Sequence, residues 1–224
     1  MLPMTLPRED IIDGLLAEME SFEDLIRSLD DSDWSTPTRC EGWPVSAVAS
    51  HFIGQMADVV AGRLEGLGSP EVTQREVDER TGRSAAELAD ELAGVRKTAT
   101  DMLALFDDAA WNTPSPGGYE GTLGDGVEAL WFDGFVHGDD IRRAIGRPSE
   151  LGDGLRASAS HLSTELTKLN WGPATLALDG LPEFEISGGG TRVEGDPLTF
   201  ILAATGRCDA AAAGVDPSVN VYAG

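Results

Sequence analysis

Four stretches of this chain repeat apolar residues at steps of three and four, and a helix striped in this way folds stably only against other helices. In the first stretch Ile11, Leu15, Met19, Phe22, Ile26 and Leu29 form one stripe over five turns. Pro44 suits the first turn of a second helix, whose stripe is Val45, Val48, Phe52, Met56 and Val59. Ser84 and Glu87 have the spacing of a capping box, and Leu88, Leu92, Val95, Ala99, Met102 and Phe106 follow it along a third helix. A fourth begins around Thr122 to Gly126 and stops at Gly146, just before Pro148. Four such helices predict a four-helix bundle. The loops DDSDWSTPTRCEGWP and DDAAWNTPSPGGYEG carry Trp34, Trp43 and Trp111. Large aromatics in turn-rich loops imply loops packed down on the bundle. The polar stretch 65–83 reads as an irregular surface connection.

The pattern changes after Pro148. Leu155, Leu162, Leu166 and Leu169 predict a fifth, shorter helix, and ATLALDGL and FEISGGG read as strands bounded by Gly and Pro. Asp196 and Pro197 are placed to cap and start a last helix through LTFILAAT to Gly206, and the tail SVNVYAG reads as a final strand. The expected organisation is mainly α: a bundle over residues 1–147 and a small α+β domain over 148–224.

Charge narrows the function. Sixteen Lys+Arg against 39 Asp+Glu give a formal net charge of −23, which disfavours nucleic acid and anionic membranes as partners. No segment has the roughly 20 apolar residues of a membrane span. MLPMTLPRED lacks the basic and apolar regions of a secretory signal, so a cytoplasmic location is expected. Cys40 and Cys208 match no zinc or disulfide framework. Dinucleotide, Walker and nucleophile-elbow motifs are missing.

The chemistry concentrates in VEALWFDGFVHGDDIRRAIG. Leu130, Asp133, His137, Ile141 and Ala144 share one face of that helix, the face with apolar residues. A carboxylate and an imidazole on an inward stripe need a partner, because an unpaired buried charge is costly. Each can neutralise the other, or both can ligate one metal ion. His51, at the edge of the second helix's stripe, is the candidate third ligand, and Asp140 is placed to accept a hydrogen bond from a ligand imidazole. Spacing alone leaves open whether these are ligands or ordinary bundle side chains. His161, beside the fifth helix's leucines with no acid at matching spacing, reads as structural or surface.

Three segments carry a resemblance. TPTRCEGWPVSAVASHFIG, WFDGFVHGDDIRRAIGRP and VEGDPLTFILAATGR resemble, in order, segments of the mycothiol-dependent maleylpyruvate isomerase-like proteins of the DinB-like metal-binding superfamily. The resemblance implies an up-down four-helix bundle followed by a small sterol-carrier-like domain. It also implies a divalent ion, zinc above all with nickel or another metal as alternatives, on His51, Asp133 and His137. Many members have Glu where this chain has Asp133. The implied chemistry is activation of a thiol, mycothiol, for transfer to or isomerisation of a small, acidic molecule. Arg207, in the ATGR segment, would hold that acid as a catalytic cation, facing the metal if the small domain folds back. An arginine serving a helix end is the other reading of Arg207. A non-catalytic, metal-containing ligand-binding or regulatory protein is the alternative, and an empty, vestigial site a third. Nothing in the sequence separates a monomer from a homodimer.

Overall fold

A computed structural model describes residues 6–223. The first five residues of MLPMTLPRED and the last glycine of SVNVYAG lie outside the described residues. The chain divides into two compact units, one of them Arg8–Glu150 and the other running from Leu151 onward.

The first unit holds seven helices: α1 (Arg8–Arg27), α2 (Asp31–Trp34), α3 (Val45–Val60), α4 (Pro70–Asp78), α5 (Ala85–Leu103), α6 (Asp108–Trp111) and α7 (Leu123–Ala144). The four long ones are those expected from periodicity. Helix α1 packs on α5 and α7, and α3 packs on the same two. Among the four long helices, the first, α1, therefore packs on the third and fourth rather than mainly on the second. Leu15, Met19, Phe22 and Ile26 of α1, Val48, Phe52 and Met56 of α3, Leu88 and Leu92 of α5, and Trp131 and Ile141 of α7 are buried. Phe22 meets Phe52 with ring centroids 4.6 Å apart.

Local signals set the boundaries. Ser84 and Glu87 cap α5 reciprocally, and Thr122 and Asp125 do the same for α7. Pro44 occupies the N-cap of α3, one position before the first turn. The stretch 65–83 departs from expectation. Ser69 caps α4 with Pro70 in its first turn, and α4 lies against the outer side of α3. With this further neighbour beside α5 and α7, α3 is buried almost all round, including Ser50, His51, Gln55 and Asp58. Close approach across the bundle is set by Gly134 of α7, where a Cβ would sit 2.8 Å from Cζ of Phe52.

The loops are packed as expected. Trp34 donates its indole N–H to the carbonyl of Arg83 at 3.1 Å, and Trp111 is buried. The TPTRCEGWP loop closes on itself through a bridge between Pro37 and Pro44, with the Thr38 hydroxyl donating to the carbonyl of Trp43 at 2.8 Å.

In the second unit, α8 (Asp153–Lys168) precedes a three-stranded sheet of β1 (Ala174–Leu178), β2 (Phe184–Ile186) and β3 (Thr191–Gly195), ordered β2-β1-β3. Strand β1 pairs antiparallel with β2 and parallel with β3. β3 adds a strand to the two expected. Helix α9 (Pro197–Ala204) starts at Asp196, whose side chain accepts from the N–H of Thr199. The tail is no strand: Pro217–Val219 makes a 3-10 turn, and the N–H of Val221 donates to the carbonyl of Ala204. His161 is buried in α8. Among the described residues no helix is long and apolar enough to cross a membrane.

Candidate metal centre

Helices α3 and α7 bring together the three residues expected to ligate. A donor atom from each of His51, Asp133 and His137 lies within 4.8 Å of the others. Nε2 of His51 is 3.6 Å from Oδ2 of Asp133, and Nε2 of His137 is 3.5 Å from Oδ1 of the same carboxylate. The two imidazoles stand perpendicular with centroids 5.2 Å apart. Trp43 lies 5.5 Å from the His51 ring, beside the site, whereas Trp131 is buried in the core.

The opposite nitrogens are both held. Nδ1 of His51 is 2.8 Å from Oε2 of Glu76 on α4, and Nδ1 of His137 is 2.9 Å from Oδ2 of Asp140 on its own helix. Ionised carboxylates accept only, so each Nδ1 donates to its carboxylate and Nε2 is the ring nitrogen that faces Asp133. Burial alone would lower the pKa of His51. The hydrogen bond given to Glu76 and the charges of Asp133 and Glu76 outweigh it and raise the imidazole above its ordinary value.

The separations fit a shared ion better than direct hydrogen bonds. An N–H···O bond spans about 2.7–3.2 Å, shorter than either Nε2–Asp133 distance. Two ligand atoms each about 2.1 Å from a tetrahedral ion lie about 3.4 Å apart. Oδ2 of Asp133 is buried with no hydrogen-bond partner among the described residues, and so is Oε1 of Glu76. The orphaned Oδ2 of Asp133, facing the Nε2 atoms of two imidazoles, suits a cation. Imidazole and carboxylate donors are compatible with zinc, nickel and neighbouring divalent ions.

A second group, Cys40, His137 and Asp140, also lies close enough to ligate, but its charge is already met. Arg39 donates from Nε to Asp140 and from Nη2 to Asp139, each at 2.5 Å, and Sγ of Cys40 lies 3.2 Å from Asp140. A guanidinium on Asp140 disfavours a metal cation there, so this group supports His137 from behind.

A family model for the mycothiol maleylpyruvate isomerase N-terminal domain matches residues 15–142, more than half of the chain. The chain belongs to this family. The match spans α1 to α7 and contains all three residues of the His51 group. Two solved structures of the mycothiol-dependent maleylpyruvate isomerase are similar to it. One, a histidine-to-alanine variant, is 17% identical with a TM-score of 0.62, covering 92% of this chain and 91% of its own. The other is 16% identical with a TM-score of 0.62, covering 91% and 90%. At such identity the likeness shows the fold, a DinB-like helical bundle with a small C-terminal sheet. No curated protein matches the chain.

Arg207 follows α9 in the second unit, and its Nη1 donates to the carbonyl of Thr205 at 3.4 Å. Sequence reasoning missed Glu76 and Arg39. Glu76 is one acid among many in a polar stretch, and Arg39 sits in a loop whose fold is not periodic.

Proposed function

We propose that this member of the family is a divalent-metal enzyme that uses a low-molecular-weight thiol, mycothiol, to transfer to or isomerise a small acidic molecule. The observation that carries the reading is the paired arrangement at Asp133: two Nε2 atoms at 3.5 and 3.6 Å from its oxygens, each with Nδ1 held by a carboxylate. His51, Asp133 and His137 would hold the ion, with zinc the first choice. Among the described residues they form a group of three, and three protein ligands rather than four support a catalytic over a purely structural ion.

A divalent ion in this position lowers the pKa of a coordinating thiol, so that its sulfur is a thiolate near neutral pH. The chain's own residues set up that chemistry. Asp140 holds Nδ1 of His137, and Arg39 holds Asp140 in orientation. Trp43 packs beside His51, with ring centroids 5.5 Å apart. Arg207 is the proposed cation for the substrate's carboxylate, supported by its place in the ATGR segment. A cytoplasmic location and a small-molecule substrate belong to the same reading.

The test is a thiol-dependent assay on metal-reconstituted protein, offering mycothiol and other small thiols with maleylpyruvate and related unsaturated acids. Turnover that requires both metal and thiol supports the proposal, and His137→Ala abolishes it. Arg207→Met raises KM for the acid at least several-fold with little change in thermal midpoint. Stoichiometric metal without any thiol-dependent turnover favours the ligand-binding alternative.

A further inference from the structure

We infer that Glu76, on the short helix α4, is the positioning residue for the metal centre's α3 side. Its carboxylate fixes His51 as the Nδ1–H tautomer and aims Nε2 at Asp133, and Gly54 lets α4 come close enough to deliver it. This rests on the metal reading above.

The side chain is placed at some cost. Glu76 is 1% exposed, and a buried carboxylate is unfavourable unless something offsets it. The nearest arginine does not do so: Arg80 spends Nη1 on the backbone carbonyl of Glu76 and Nη2 on Glu91. The hydrogen bond given to the Glu76 carboxylate is the one from Nδ1 of His51, at 2.8 Å, and Oε1 is left buried without a partner among the described residues. A strut that merely tied α4 to α3 would be served better by an apolar contact or a neutral amide. A carboxylate there matches the need to hold one imidazole proton and to raise the basicity of the opposite nitrogen.

The backbone is shaped for this contact. Gly54 lies one turn after His51 on α3, and a Cβ there would sit 2.6 Å from Cβ of Glu76, 2.9 Å from its Cγ and 2.8 Å from Nη1 of Arg80. Any larger residue pushes Glu76 off Nδ1. The two ligand histidines are thus oriented by different means. Asp140 holds His137 from the same helix, while Glu76 holds His51 from a helix outside the four-helix core.

The experiment compares wild type, Glu76→Gln, Glu76→Asp and Gly54→Ala after chelation, by zinc titration against a competing chelator and by thermal unfolding of the metal-free proteins. Glu76→Gln is expected to bind zinc about 10- to 100-fold more weakly, with a metal-free midpoint equal to or above wild type. Glu76→Asp recovers part of the affinity, and Gly54→Ala weakens zinc in the same direction as Glu76→Gln. Imidazole nitrogen NMR of zinc-loaded wild type, which needs no variant to fold, shows His51 protonated at Nδ1 and ligated at Nε2. Unchanged zinc affinity in Glu76→Gln, or His51 ligated through Nδ1, overturns the inference while the metal reading stands. Wild type that binds no zinc or other divalent ion overturns both.

Discussion

His137, Asp140 and Arg39 form one partly buried chain of contacts, from an imidazole nitrogen to a carboxylate to a guanidinium. Arg39 also meets Asp139, so one cation neutralises two carboxylates that are 0% and 3% exposed. Arg39→Ala takes the guanidinium from both carboxylates while they stay desolvated, and is expected to lower metal-free stability by about 3 kcal/mol or more in urea unfolding. A loss below about 1 kcal/mol would show that the pairing matters little. Asp140→Asn keeps the shape but weakens the grip on Nδ1, and should reduce zinc affinity about tenfold by chelator competition. Away from the site, burial pushes the Glu18 carboxyl up to about 7, against opposing effects of Arg142 and a hydrogen bond from Trp131. Folded Glu18 therefore binds its proton more tightly than the ordinary value of 4.5 allows. Its contribution is fully present below about pH 4.5 and is lost as pH rises through about 7. Glu18→Gln should exceed wild type in stability at pH 8, by on the order of 2 kcal/mol, and match it near pH 4.5. The His51, Asp133 and His137 group was legible as a candidate because Asp133 and His137 share a helix face. Glu76, Arg39 and Glu18 were not, because their partners lie on other elements and no spacing records that.

At the scale of elements, α1, α3, α5 and α7 could be read from periodicity because each has one apolar face with a core to bury it. Helix α4 could not. It is short and polar, and what places it is the outer side of α3, which the sequence marks only by an unusually apolar helix with Gly54 in it. Strand β3 was missed for a similar reason: TRVEG buries no residue fully and shows no apolar alternation. The tail was misread because Val219 and Val221 suggest a strand, while Asp216 and Pro217 start a 3-10 turn. The bundle's tightness can be tested where α7 meets α3. Gly134→Ala sets a methyl 2.8 Å from Phe52, and overpacking of this kind should cost about 1–3 kcal/mol. A variant with wild-type stability would mean that the two helices separate freely.

On the scale of the whole molecule, the acidic surplus of −23 is a property of the surface rather than of the site. Like charges repel in the folded chain, so raising NaCl from about 0.02 to about 0.3 M should raise the thermal midpoint as screening grows. The candidate centre gathers Glu76, Asp133 and Asp140 around two imidazoles, a grouping that could hold a cation. The family's N-terminal domain supplies every residue of that gathering. The most direct test is metal analysis after reconstitution and desalting, on wild type, His51→Ala and His137→Ala. The account predicts about one divalent ion per wild-type chain, with tetrahedral-type nitrogen and oxygen ligation, and loss of it in both variants. Wild type without stoichiometric metal, or variants that keep it, would contradict the account.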